Sequence, residues 1–212
     1  HNLDLVDSMI INKITNKPLL SLGELATEAL YNTRDSEHIS AEETYTIRNN
    51  AFSFGCSFAE VEVDISLGKV KLLRLINVHD CGRLINPRLA EAQAHGGMSM
   101  AVGYALSEEL KYNDKGQILN NNLLDYKLST TMDHPHFEVY FIENPSPVSP
   151  FNTKSLGEPP TCSPAPAIRN AILNATGVQV NKCPMTPHVL FPLFKEAGLI
   201  ENDYEQDMEY DA

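Results

Sequence analysis

The sequence predicts an α+β fold, with mixed, mainly antiparallel sheets and helices packed against them. Three observations carry this prediction. Phe54 to Val78 alternates apolar and polar residues with the period of a strand, broken once by a turn. Asn86-Pro87 opens a long segment of small residues that reads as a helix. Strand and helix patterns interleave without regular βαβ spacing, and there is no internal repeat.

Residues 1–20 read as irregular, apart from a short hairpin from Ile10 to Leu20 around Asn16-Lys17-Pro18. Ser21 and Glu24 make a capping box, in which the serine caps the helix and the glutamate reaches back. That helix is expected to run to Tyr31 and to bury Leu25, Ala29 and Leu30. Asn32 to Asn50 reads as a polar connecting loop.

Beyond it, Val61, Val63 and Ile65 point one way, while Glu60, Glu62 and Asp64 point the other. Ser66-Leu67-Gly68 turns the chain, and Lys69 to Val78 returns to complete a hairpin with one wet face. The helix from Pro87 to Leu106 contains Gly96-Gly97, and glycines inside a helix each cost about 1 kcal/mol relative to alanine. A close neighbour on that face, either a backbone or a bound molecule, is therefore expected.

A second hairpin is predicted from Glu109–Tyr112 and Gln117–Leu119, and a strand from Phe137 to Glu143. Asn144 to Pro150 is proline-rich and extended. Ser163-Pro164 opens a helix that Gly177 closes, and Thr186-Pro187 opens a last one that Gly198 stops.

The chain has a net charge of −12, so it repels phosphate backbones and nucleic acid is not expected as a partner. The acidic stretch 200–212 is expected to be a disordered tail. No apolar run is long enough to cross a bilayer and no signal-peptide pattern opens the chain, so a cytoplasmic location with no membrane contact is expected. The four cysteines, Cys56, Cys81, Cys162 and Cys183, form no CxxC pair, which argues against a zinc or iron–sulfur site in this segment. His134-Pro135-His136 is a weak metal signal, and His95 reads as structural or solvent-facing.

The stretch most informative about chemistry is Thr153 to Thr161, TKSLGEPPT. Glu158 sits between a glycine and two prolines on a stiff loop before a helix. Pro159 is expected to hold it away from the α region, as suits a general base of fixed position. A surface-loop glutamate is the plainer alternative. Cys162 is near enough to line the same pocket, and it reads as a bystander thiol.

The segment Lys154 to Ala171, KSLGEPPTCSPAPAIRNA, resembles the C-terminal signature of the xanthine dehydrogenase and aldehyde oxidase family of molybdenum hydroxylases. Val78 to Pro87, VHDCGRLINP, and Gln93-Ala94-His95-Gly96-Gly97 are similar to that family's D-x-G-x-x-x-N-P strand end and Q-x-x-G-G helix. Ser107 to Leu110, Asp125-Tyr126 and Glu143 to Pro147 follow in the family's order, and Leu5-Val6-Asp7 with Leu20 to Tyr31 resembles the segment joining its two cofactor-binding lobes. The resemblance implies that 1–50 is a linker with a helix, that 51–199 is the C-terminal molybdopterin-binding lobe, and that only 200–212 lies outside it.

It also implies roles. Glu158 would be the general base for the water-derived oxygen. Gln93 would hydrogen-bond the molybdenum–molybdopterin cofactor, whether or not this carries a nucleotide. Gly96 and Gly97 would let the helix approach it, and backbone groups of Lys154, Ser155, Leu156 and Gly157 would line the pocket. The pterin holds the metal in this family, so no protein metal ligand is implied.

The Lys154 side chain could be a simple surface charge, Gln93 a buried residue bonding backbone, and the glycine pair a packing device. The expected substrate is a purine or another N-heterocycle, with aldehydes open. Implied partners are the upstream half of the subunit and the iron–sulfur and flavin (FAD) domains or subunits. The start at His1-Asn2-Leu3 without Met reads as a fragment rather than a natural small subunit of a split enzyme, and without the first half of the site the chain is expected to be inactive alone. Two other classes compete: a non-catalytic structural or assembly module, and a free-standing small-molecule binding domain.

Overall fold

The structure, a computed structural model, describes residues 2–31, 39–46 and 48–200, so the acidic tail and part of the polar loop lie outside the described residues. The chain forms two compact units, His1–Thr46 and Ile47–Ala212.

The first unit is a three-stranded antiparallel sheet followed by a helix: β1 (Leu3–Val6), β2 (Met9–Asn12), β3 (Pro18–Ser21) and α1 (Leu22–Tyr31). The β2–β3 pairing is the expected hairpin, whereas β1 falls in a stretch expected to be irregular. Asp7 and Ser8 join β1 to β2 with φ of 49° and 63°, the two left-handed residues of a tight hairpin turn without the glycine that usually marks one. The capping box forms as predicted: Glu24 N–H donates to Ser21 Oγ at 3.1 Å, and Ser21 N–H donates to the Glu24 carboxylate at 2.9 Å. The expected burial does not form. Leu25 and Ala29 are half-buried and Leu30 is 53% exposed, because α1 has no core of its own unit to cover.

The second unit is built on β4 (Phe54–Asp64), β5 (Lys69–Asp80) and β6 (Phe137–Phe141), in that order in the sheet. The β4–β5 hairpin is the predicted one, with a bulge at Glu60/Val61. The β6 strand pairs with β5 in parallel, so the sheet is mixed. Between them runs α2 (Pro87–Leu106), capped where expected: the Asn86 side chain accepts from Leu89 N–H at 3.1 Å. The second predicted hairpin reduces to one bridge, Tyr112 with Ile118, because Asn113 closes the turn on itself by accepting from Gln117 N–H at 2.9 Å.

The rest is helical: α3 (Pro159–Cys162), α4 (Pro164–Thr176) and α5 (Pro187–Glu196). Gly177, left-handed at φ 74°, caps α4 as predicted, and Gly198 at φ 71° follows α5. Leu75 of β5, Met98 and Val102 of α2, Ile168 and Ile172 of α4, and Leu190 and Phe194 of α5 form one buried core. That core fixes α2 and α4 relative to the end of β5, where the candidate site lies. Among the described residues no helix is long and apolar enough to cross a membrane.

Candidate active site

The loop carrying Glu158 begins with an abrupt reversal. Phe151 and Asn152 both have left-handed φ, 54° and 62°, which is uncommon and costly for non-glycine residues. The reversal returns the chain along the end of β5. Thr153 bridges Gly82, Arg83 N–H donates to Asn152 O at 3.0 Å, and Lys154 N–H donates to Cys81 O at 2.7 Å. Gly82 is left-handed at φ 70°, and a side chain there would strike the Asn152 carbonyl.

Lys154 is not a surface charge. Its ammonium meets Asp80 Oδ2 at 2.6 Å, with the two side chains 6% and 10% exposed. Burial opposes ionisation of Asp80. The Lys154 ammonium and the Gly82 N–H outweigh it and hold the carboxyl below its usual range. Phe54 places its ring 5.8 Å from the ammonium. Beneath the same loop His79 is wholly buried, with no hydrogen-bond partner on either ring nitrogen. Burial pushes its pKa down, against smaller opposing pulls from the Ser155 backbone and Asp80. Ser53 Oγ–H donates to Ser155 O at 2.6 Å.

On the far side, α2 holds the loop. The Gln93 side-chain amide donates to Gly157 O at 3.4 Å, a long bond from an exposed side chain. Gln93 is therefore not a buried helix residue, although it does bond backbone. The two glycines differ. A β-carbon on Gly97 would stand 2.9 Å from Pro160 Cβ and 3.0 Å from Thr161 Oγ1, so Gly97 lets α2 pack against α3. A β-carbon on Gly96 would meet nothing within 4 Å. Tyr104, farther along α2, donates its hydroxyl to Thr161 O at 2.7 Å.

Glu158 lies between these supports with its side chain exposed. Its backbone is αR, φ −83° and ψ −35°, contrary to the expectation from Pro159. The bias before proline is steric and modest. Here it is overcome because Glu158 starts the one-turn helix α3, its carbonyl accepting from Thr161 N–H at 2.9 Å and from the Cys162 thiol at 3.6 Å. Ser155 and Gly157 are exposed and Leu156 is half-buried. A cleft of about 580 Å³ beside the loop is lined by Phe52, Ser53, Lys154, Ser155 and Pro159. A larger cleft, about 770 Å³, opens between Val70, Leu106, Leu128 and Met132 and touches none of the predicted site residues. The convergent loop bonds, rather than cleft size, mark the candidate site.

The structure thus brings Gln93, Gly97, Lys154, Ser155, Leu156, Gly157 and Glu158 to one region, with Gly96 on the open side of α2. His95 and His134 sit elsewhere, their rings 6.1 and 5.3 Å from that of Phe137. Among the described residues no three His, Cys, Asp or Glu side chains gather as a metal-ligand set. Sequence reasoning missed His79, Ser53, Tyr104 and the Asp80–Lys154 pair. Asp80 stood inside a quoted motif, but its partner is 74 positions away and no spacing rule links them.

The candidate site is thus an exposed glutamate on a loop clamped between the end of β5 and the small-residue helix α2. The description "Molybdopterin cofactor-binding domain" fits residues 1–135. The chain is 45% identical over 201 residues to the xanthine dehydrogenase molybdenum-binding subunit of Escherichia coli O157:H7, covering 94% of this chain and 27% of the relative. It is 31% identical over 163 residues to the carbon monoxide dehydrogenase large chain of Afipia carboxidovorans, covering 74% of this chain and 19% of that one. Among solved structures, the Cu,Mo-CO dehydrogenase superposes with a TM-score of 0.80 at 27% identity, over 94% of this chain and 26% of that one. Quinoline 2-oxidoreductase from Pseudomonas putida 86 gives 0.79 at 28%, over 92% and 26%. The chain belongs to the molybdopterin-binding family of the molybdenum hydroxylases, the xanthine dehydrogenase and aldehyde oxidase type. It spans 27% of the length of the E. coli subunit and 19% of that of the carbon monoxide dehydrogenase large chain.

Proposed function

We propose that this chain forms the Glu158-bearing wall of a molybdenum hydroxylase active site that hydroxylates a purine or another N-heterocycle. The observation that carries the reading is the placement of Glu158. Glu158 is exposed while the loop on either side is bonded down, by Cys81 O, Asp80 and Gln93 before it and by Tyr104 after it. Such a carboxylate keeps its position without being buried, as a general base requires. The cofactor fits the residues present. Gly96 leaves open space on α2, and the exposed Gln93 amide has donor capacity beyond its long bond to Gly157. The backbone of Ser155, Leu156 and Gly157, on the same clamped loop as Lys154, adds further polar groups beside it.

When bound, the molybdenum–pterin group would supply the two-electron oxidant. The Glu158 carboxylate would take up the proton lost from the attacking water. Gln93 orients the group from α2, and Gly97 keeps α2 close enough to α3 to do so. The purine class is supported by the name of the 45% identical E. coli relative, and the wider heterocycle class by quinoline 2-oxidoreductase. The remainder of the subunit, together with iron–sulfur and flavin partners that carry electrons away, completes the enzyme, in the cytoplasm. Residues 1–212 alone do not turn over.

The test is to assemble this chain with the rest of its subunit and its partners, and to quantify molybdenum, pterin and hydroxylation of purines and quinolines. Stoichiometric cofactor is expected, with kcat reduced about 10²–10⁴-fold by Glu158→Gln. A stable complex without molybdenum would favour the structural-module reading, with Glu158 a loop residue.

A further inference from the structure

The ion pair between Asp80 and Lys154 is not explained by stability. Two charges taken out of water lose about as much in solvation as their attraction returns, and apolar residues of similar volume hold a fold as well or better. What a buried pair adds is position. The Lys154 ammonium, at the end of a flexible stem, is fixed on Asp80 Oδ2 at 2.6 Å, while its own backbone N–H is fixed on Cys81 O at 2.7 Å. Both ends of one residue are thereby tied to the last turn of chain at the end of β5.

Asp80 is fixed in its turn, its Oδ1 accepting from Gly82 N–H at 2.9 Å. Phe54 lies against the ammonium, and fully buried His79 precedes Asp80 on the strand. Glu158 is four residues beyond Lys154. Gln93 holds the chain at Gly157, just before Glu158, and Tyr104 holds it at Thr161 on the other side. The carboxylate therefore rides on a short span anchored at both ends, and among the described residues the ion pair is its charged anchor.

We infer that Asp80 and Lys154 are positioning residues that set where the Glu158 carboxylate stands relative to the reacting atoms. This rests on the reading of Glu158 as the base. A misplacement of about 1 Å at such a group costs on the order of 100-fold in rate, so the loop needs only a small release for the effect to be measurable.

The experiment uses the complete subunit in its complex, with Asp80→Leu/Lys154→Met as the decisive variant because it leaves no unpaired buried charge. Asp80→Asn, Lys154→Met and the conservative Lys154→Arg accompany it. Hydrogen exchange of the 153–158 segment, molybdenum content, and kcat and KM measured separately are the readouts. The double variant is expected to retain molybdenum and protection elsewhere, to exchange the loop amides at least about tenfold faster, and to lose about 10–100-fold in kcat with KM within about threefold. Lys154→Arg should recover most of that loss. Wild-type kcat and loop protection in the double variant would overturn the inference, as would a loss confined to KM. If Glu158→Gln leaves turnover intact, the reading of the base fails instead, and loop exchange still decides whether the pair holds the loop.

Discussion

His79 faces Gly55 across the β4–β5 ladder, and a β-carbon on Gly55 would stand 2.6 Å from His79 Nδ1. The imidazole is wholly buried. Gly55→Ala is therefore expected to destabilise the unit by about 1–3 kcal/mol, the usual cost of overpacking a filled interior. Urea unfolding of the subunit would read this as a lower midpoint, and an unchanged midpoint would mean that the ring has room to move.

The two adjacent glycines of α2 should respond in opposite directions. Gly97→Ala drives a methyl into Pro160 and Thr161, separating α2 from α3, and should cost about 1–3 kcal/mol. Gly96→Ala meets nothing within 4 Å and should raise helix stability by about 1 kcal/mol in the cofactor-free subunit. If Gly96 faces the cofactor, the same stabilised variant will copurify with less molybdenum. Thermal unfolding and metal analysis of one preparation test both halves.

Asn86 starts the helix that carries Gln93. Its side chain accepts from Leu89 N–H, so Asn86→Ala should cost about 0.5–2 kcal/mol, while Asn86→Asp or Asn86→Ser should retain most of the cap. Equal unfolding midpoints for the three variants would show that α2 is held by its core face alone.

The acid dependence should fall into two stages. Burial lowers the folded pKa of His79 below 6.5, so the unfolded chain binds the extra proton first and stability falls as pH drops below that value. The carboxyls act lower down. Asp80 is lowered by Lys154 and Gly82 despite its burial, and Glu138 is lowered to about 2 by Arg74 and then by Tyr140. Their contribution is present above the ordinary values of 3.8 and 4.5 and is lost as pH falls through the lowered ones. His79→Gln should remove the upper stage and leave the lower. Unfolding midpoints that stay level between about pH 7 and pH 5 in the wild type would contradict the upper stage.

Elements with a strong local cause were legible in the sequence. The β4–β5 hairpin follows from the alternation of Val61 and Val63 with Glu60 and Glu62, and the starts of α1 and α2 follow from Ser21 and Asn86. What escaped had either a weak local signal or a distant cause. Strand β1 ends in an Asp-Ser turn without glycine, and the Glu109–Leu119 hairpin yields to side-chain bonds of Asn113. The αR backbone of Glu158 depends on a helical turn that its prolines disfavour only mildly. At the site, Glu158, Gln93 and the loop were placed by motif resemblance, whereas the pairing of Lys154 with Asp80 exists only once β5 and the loop have met.

The parallel pairing of β6 with β5 has a consequence for how the molecule comes to exist. Arg74 and Glu138, joined across these strands, are 64 positions apart, so the sheet cannot close until the intervening helix and the irregular segment after it have left the ribosome. The β4–β5 hairpin can form early from local contacts, but it then waits with one long edge unpaired, open to strands of other chains. The loop bearing Glu158 comes after β6 in the chain, so it docks on the end of β5 and on α2 later still. Docking of the Glu158 loop is therefore a late event in synthesis, and lowering the rate or temperature of expression should increase the yield of correctly closed chains.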